Sequence, residues 1–210
     1  MRNALILLAS VAFTLGGCEG RSGDPFRATG EVIAFGGGDA GPQGACATCH
    51  GLKGEGDGRL APPLAGLDAG YLHRQLDDYH NGWREHAQMR AIVRRLTPED
   101  RAKVSAYYAA LPVPPTGVFA GGDLYAQNCA SCHGTKGEGM GPNNPPLAGL
   151  SPTYIESQLL AWRTGKRRND PMGQMMAVSS ALSPDQVRTV SAQASALPGP
   201  HLPPAQEASR

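Results

Sequence analysis

The residues with chemistry to offer are four cysteines and two histidines at a fixed spacing. Cys46-Ala47-Thr48-Cys49-His50-Gly51 recurs as Cys129-Ala130-Ser131-Cys132-His133-Gly134. In each copy two thiols at i and i+3 can form thioethers to the vinyl groups of a haem, and the next residue offers an imidazole to the iron. The pattern therefore reads as c-type haem attachment. The same thiol spacing also suits a redox dithiol or half of a zinc site, and four cysteines in an exported chain can pair as disulfides. The repeat decides between these readings. A shift of 83 residues that lays Cys46 on Cys129 also lays residues 62–67 (P-P-L-A-G-L) on residues 145–150, Tyr71 on Tyr154, Gln75 on Gln158, Leu76 on Leu159 and Gly82 on Gly165. Zinc or thiol chemistry explains neither the paired histidines nor the repeated proline loop. Two covalently bound c-type haems are expected, with Cys46, Cys49, Cys129 and Cys132 as thioether sites and His50 and His133 as axial ligands.

A haem with one histidine has a sixth position to fill, and its occupant separates a carrier from an enzyme. A methionine thioether is soft and neutral; it favours Fe(II), raises the potential and closes the iron to small molecules. The two halves realign with a shift of 86 after Gly165, which lays Met89 on Met175, each seven residues before the Leu of a last helix. Met89 and Met175 are the expected sixth ligands. Met172 and Met176 remain alternatives in the second half, with Met175 then filling the core. His86 is an alternative in the first, where it would give a bis-histidine haem of much lower potential.

The elements that hold these residues follow from the same repeat. Two halves of about 85 residues are each short of a side-chain core, and the chain has only 4 Phe and 2 Trp. Haem supplies the missing apolar centre, so folding should depend on its attachment. With 28 Gly and 18 Pro, short helices wrapping a cofactor through irregular loops are expected. Residues 71–79 and 154–162 carry apolar side chains at helical spacing. Thr97-Pro98 and Ser183-Pro184 read as N-cap and N1 of the last helix of each half. Residues 31–35 read as a short extended piece, and residues 119–128 as a helix with Asp123 as N-cap. The domains are expected at 31–112 and 118–198, joined by a stiff linker at 113–117 and followed by a flexible tail, 199–210. His73, His80 and His201 read as solvated or capping residues. The basic clusters Arg90, Arg94, Arg95 and Lys166-Arg167-Arg168 read as solvated helix faces, able to meet an acidic partner.

The N-terminus has Arg2, an apolar run over residues 4–15 and Gly16-Gly17-Cys18. The run is short for a membrane span and suits a signal peptide over residues 1–17. Leu15-Gly16-Gly17-Cys18 resembles a lipobox, which gives the fifth cysteine a use: lipidation at Cys18, a tether over 18–30 and a membrane-anchored protein in the periplasm. The formal charge of +1 gives no support to nucleic-acid binding, and haem propionates would turn it mildly acidic.

On these motifs, with N-D-P-M-G-Q-M-M at 169–176 and the L-S/T-P-D/E helix starts, the chain resembles the class I cytochrome c family, and within it the dihaem cytochrome c4 group. The resemblance implies an all-α fold of two tandem domains about a pseudo-twofold axis, His/Met ligation, and one-electron transfer between a quinol-oxidising complex or dehydrogenase and a terminal oxidase. The first half departs from it by having Trp83-Arg84-Glu85-His86 where the second has the Asn-Asp-Pro-Met segment. Tyr107-Tyr108 against Gln193-Ala194 makes the two haem environments differ. The expected role is an electron carrier with redox-protein partners and no small-molecule substrate, not an enzyme. Its rivals are a dihaem peroxidase or thiosulfate-oxidising cytochrome, for which no cysteine but Cys18 is spare, and a dedicated subunit of a membrane oxidase or dehydrogenase complex.

Overall fold

The computed structural model describes residues 28–119, 121–170 and 172–199; the expected leader, Cys18 and most of the tail lie outside them. The described residues form helices and no strands. The first half contains α1 (Gly30–Gly36), α2 (Ala47–His50), α3 (Ala69–Asn81), α4 (Ala87–Val93) and α5 (Pro98–Ala109). The second contains α6 (Asp123–Asn128), α7 (Ala130–His133), α8 (Pro152–Arg163), α9 (Gln174–Ala181) and α10 (Pro184–Ser195).

Each long helix starts where its side chains can serve the free N–H groups of a first turn. Asp68 and Ser151 accept from the third residue of α3 and α8. Thr97 and Ser183 form full capping boxes with Asp100 and Gln186, and Pro follows at N1. These caps fix where the helices begin, and their apolar faces then pair them, α3 on α5 and α8 on α10. The expectation of an extended piece at 31–35 is corrected: it is helix α1. Thr29 caps it by accepting from the Val32 N–H, and Ile33 and Ala34 are fully buried in the first core, where α1 packs on α5. Tertiary burial thus overrides the weak helix propensity of Gly, Val and Ile. In α6 the cap is Gly122, one residue before the expected Asp123, which lies in the first turn instead.

Each half has its own core, and the two solve one packing problem differently. In the first, Tyr108 on α5 fills the space behind the haem-motif loop, its ring beside Gly54. In the second the matching residue is Ala194, and Tyr125 on α6 fills the core and donates its hydroxyl to the Gly134 carbonyl at 2.7 Å. Gln193, where the first half has Tyr107, accepts from the Tyr125 N–H at 3.0 Å. Between the halves, Val113 rests against Gly66, Thr116 Oγ1 donates to the Pro198 carbonyl and Phe119 N–H donates to the Ala196 carbonyl at 3.2 Å. The connecting segment is therefore pinned at both ends.

The halves meet through the loops after α3 and α8. Arg84 and Arg167 form an isolated antiparallel bridge. Glu85 N–H donates to the Lys166 carbonyl at 2.7 Å and Arg168 N–H to the Trp83 carbonyl at 2.6 Å. Arg168 also pairs with Glu85 at 3.3 Å and donates to the Gly82 carbonyl at 2.8 Å.

Candidate haem centres

In both halves the C-x-x-C-H segment closes a one-turn helix, α2 or α7, whose last residue is the histidine. The glycine that follows, Gly51 or Gly134, sits at φ 83° or 84°, a region open to glycine and strained for other residues. A Cβ there would also lie 2.3 or 2.2 Å from a carboxylate oxygen of Glu55 or Glu138. That carboxylate accepts from the Lys53 or Lys136 N–H at 2.8 Å and ties the turn. The chain can then double back so that the Pro-Pro-Leu loop faces the histidine.

This return sets the histidine's chemistry. His50 Nδ1 donates to the Pro62 carbonyl at 2.8 Å, and His133 Nδ1 to the Pro145 carbonyl at 2.8 Å. A carbonyl only accepts, so Nδ1 carries the proton and Nε2 keeps its lone pair. Both histidines are buried, 8% exposed. Burial lowers the pKa of each, with the proline carbonyl opposing it, so the neutral, ligating form holds at neutral pH. Cys46 and Cys129 are also pushed up, by burial, to about 11.

The two expected methionines hold parallel positions. Met175 is half-buried on the first turn of α9, and its N–H is held by the Asp170 carboxylate. Met89 is half-buried on the first turn of α4, and its N–H donates to His86 Nδ1 at 3.3 Å. His86, the alternative ligand, is therefore an N-cap. Gln88 Nε2 approaches Cys49 Sγ at 3.9 Å, which sets α4 against the haem motif. Met176 is 53% exposed and is not among the residues lining the second-half cavity, whereas Met172, 80% exposed, lines it together with Met175.

In the second half these residues share a cavity of about 650 Å³, lined by Cys129, Cys132, His133, Met175, Leu159 and Trp162. That volume lies in the range of about 300–1,000 Å³ typical of cofactor clefts. Trp162 Nε1 is buried without a hydrogen-bond partner, a donor left for an acceptor that the apolar wall does not supply. A haem fits this set: two thiols, an imidazole with its lone pair free, a thioether and an unmatched donor for a carboxylate.

The cavity runs on to the boundary between the halves, where it is also lined by Tyr71, Gln75 and Asp78 of the first and Tyr154, Gln158 and Arg167 of the second. The expectation of Arg167 on a solvated face is corrected: Arg167 is 6% exposed and Arg84 5%. A signal was present, since the 83-residue shift that superposes the haem motifs also lays Arg84 on Arg167. Reading Arg167 as part of a charge run, and Arg84 only as part of a departure from the second half's segment, concealed it.

Comparison with known proteins finds one family twice along the chain. Residues 39–111 and 118–192 each match the cytochrome c family model. A thiosulfate dehydrogenase electron acceptor from Stutzerimonas stutzeri (strain A1501) is 36% identical over 200 residues, covering 87% of this chain and 90% of that protein. Reduced recombinant cytochrome c4 from Pseudomonas stutzeri superposes with a TM-score of 0.63 at 26% identity, over 80% of this chain and 98% of that one. A thiosulfate dehydrogenase from Marichromatium purpuratum, as isolated, gives a TM-score of 0.69 at 38% identity over 80% of this chain, which spans only 40% of that protein's length.

Proposed function

This chain belongs to the cytochrome c family, and we propose that within it the protein takes electrons from a thiosulfate-oxidising dehydrogenase and passes them on singly, without oxidising a substrate itself. It is a dihaem electron carrier of the cytochrome c4 type. Of the donors expected from the sequence, a dehydrogenase is favoured over a quinol-oxidising complex by the likeness to the Stutzerimonas electron acceptor along almost the full length of both chains.

His50 with Met89 and His133 with Met175 are the proposed axial pairs. The observation that carries the carrier reading is the placement of Met175 in one cavity with His133 and both thiols. Once the haems are attached, they supply one-electron Fe(III)/Fe(II) cycling. The chain's part is to hold the imidazole in its Nδ1–H tautomer against a proline carbonyl, to set the methionine by its capped backbone N–H, and to keep water from the apolar wall. For location, the proposal is the periplasm, with the leader removed and Cys18 lipidated; no helix of the described residues is long and apolar enough to cross a membrane.

Two measurements test this. Mixed with thiosulfate alone, the oxidised protein is expected to stay oxidised, and a catalytic amount of a thiosulfate dehydrogenase should reduce both haems. Turnover with thiosulfate alone would make it an enzyme. Replacing Cys18 by Ser should move the protein from the membrane to the soluble fraction, and an unchanged distribution would remove the anchor.

A second reading, a fixed partner of one enzyme, is favoured by the match to part of a larger thiosulfate dehydrogenase. Co-purification with a dehydrogenase in mild detergent would support it, and isolation as a lone chain would not.

A further inference from the structure

Each methionine segment ends on a buried leucine, and in each half an arginine holds that leucine's carbonyl. Leu96 and Leu182 correspond under the 86-residue shift. In the first half Arg101 of α5 donates from Nη1 to the Leu96 carbonyl at 2.7 Å and from Nε to Asp77 Oδ1 of α3 at 2.7 Å. In the second half Arg163, the last residue of α8, donates to the Leu182 carbonyl and also to the Ser179 carbonyl, the latter from Nε at 3.1 Å. The two arginines do not correspond. Val187 stands where the repeat would place a second Arg101, His80 where it would place a second Arg163, and Leu160 opposite Asp77. One carbonyl is therefore served from the helix that follows the methionine in the first half, and from the helix that precedes it in the second.

The contact answers a local weakness. α4 and α9 have 7 and 8 residues, too few to persist as helices unaided, and the carbonyls of a last helical turn have no partner within the helix. A guanidinium at that end satisfies them and meets the negative end of the helix dipole. Leu96 carries on the turn of α4, its N–H donating to the Val93 carbonyl at 3.2 Å, and Leu182 directly follows α9. At the opposite ends, His86 and Asp170 hold the methionine N–H groups. Each segment is thus tied down at both ends, and its trailing tie runs to a helix of the core: Arg101 is itself buried on α5, which packs on α3, and Arg163 closes α8, on which α9 packs. A neutral thioether brings no charge to hold an iron, so its place depends on the segment that carries it.

The geometry points to Arg101 and Arg163 as positioning residues for the sixth ligand: each pins the trailing end of its methionine segment to the core and so keeps the iron–methionine bond closed to incoming ligands. This rests on Met89 and Met175 as the axial methionines. Features inherited by duplication recur at matching positions, as the haem motifs do. The same group brought to the same carbonyl from two unrelated positions marks a requirement of the segment itself. Arg163 is not among the residues lining the second-half cavity, so its effect passes through the segment and not through contact with the haem.

The test follows the entry of imidazole into the oxidised dihaem protein, each haem read by its own paramagnetic NMR signals and by loss of the sulfur-to-iron charge-transfer band. Arg163→Leu removes the donors and should speed entry at the second haem by at least about tenfold, as the loss of a charged hydrogen bond implies, with the first haem unchanged. Arg101→Leu should do the reverse. Arg163→Lys, with one ammonium for two carbonyls, should fall between parent and Arg163→Leu. Ser183→Ala weakens the neighbouring cap of α10 without touching the arginine and is expected to leave entry at the parent rate. Parental rates in both Leu variants, equal acceleration at both haems, or a Ser183→Ala protein as open as Arg163→Leu would overturn the assignment. Should Arg101→Leu fail to retain its haem, Asp77→Asn keeps Arg101 and removes its carboxylate; faster entry at the first haem alone supports the clamp, and an unchanged rate overturns it in that half. Carbon monoxide binding by the unmodified reduced protein reports separately on the axial methionines. Two gas-inert haems in the parent with parental imidazole rates in the variants would remove the clamp and leave the carrier reading intact.

Discussion

His86 and Asp170 perform one task with different chemistry, since each accepts a hydrogen bond from the backbone N–H of a proposed ligand methionine. The task turns on the position of a sulfur, so the sharpest predictions belong to single residues. Replacing Met175 by Ala should let the reduced second haem bind carbon monoxide, whereas Met172→Ala and Met176→Ala should leave the reduced spectrum unchanged. A silent Met175 variant beside a gas-binding Met176 variant would move the assignment by one residue. For the first haem, His86→Ala removes a cap and should cost about 1 kcal/mol of stability, leaving the haem inert to the gas. A haem opened by that change would mean that His86, and not Met89, ligates the iron.

At the scale of elements, caps and turns hold the haem segments in place. Ser183→Ala breaks the capping box of α10 and should cost about 1 kcal/mol, seen as a lower urea midpoint with unchanged haem potentials. A shift in potential would tie the cap to the haem environment. Gly134→Ala should be costlier, since the new methyl meets both a φ of 84° and the Glu138 carboxylate, and a thermal midpoint equal to the parent's would refute that account of the turn. The sequence made legible the elements that carry a repeated, directional signal: the haem motifs, the Pro-Pro-Leu loops, and α5 and α10 with their Ser/Thr-Pro starts. Elements made by tertiary contact were not legible. α1 has Gly, Val and Ile in place of strong helix formers and depends on burial of Ile33 and Ala34. α4 and α9 are short, and their caps, His86 Nδ1 and Asp170 reaching past a glycine, are not the usual Ser or Thr. Arg167 was hidden because a charge run in sequence carries no sign of which members turn inward, and its counterpart Arg84 because it stands in a segment where the two halves differ.

For the molecule as a whole, the cofactor and the fold depend on each other. The second core surrounds a cavity of about 650 Å³, and without haem its apolar lining would face water or collapse. Protein made without haem attachment is therefore expected to lack a cooperative thermal transition and a structured near-UV spectrum. A sharp transition in the haem-free chain would show that the side-chain cores suffice.

The boundary that Arg84 and Arg167 bridge has the form of a contact between two copies of one subunit. Arg84 meets Gln158 as Arg167 meets Gln75, and within each half the two residues stand at the same separation. Such a face is self-complementary: one Arg–Gln pair, written once, builds an isologous dimer when it meets itself. Joined by the pinned segment after α5, the two faces meet at an effective concentration fixed by the chain and not by the solution. Dilution, which would dissolve a dimer of separate subunits and part its redox centres, cannot part these two.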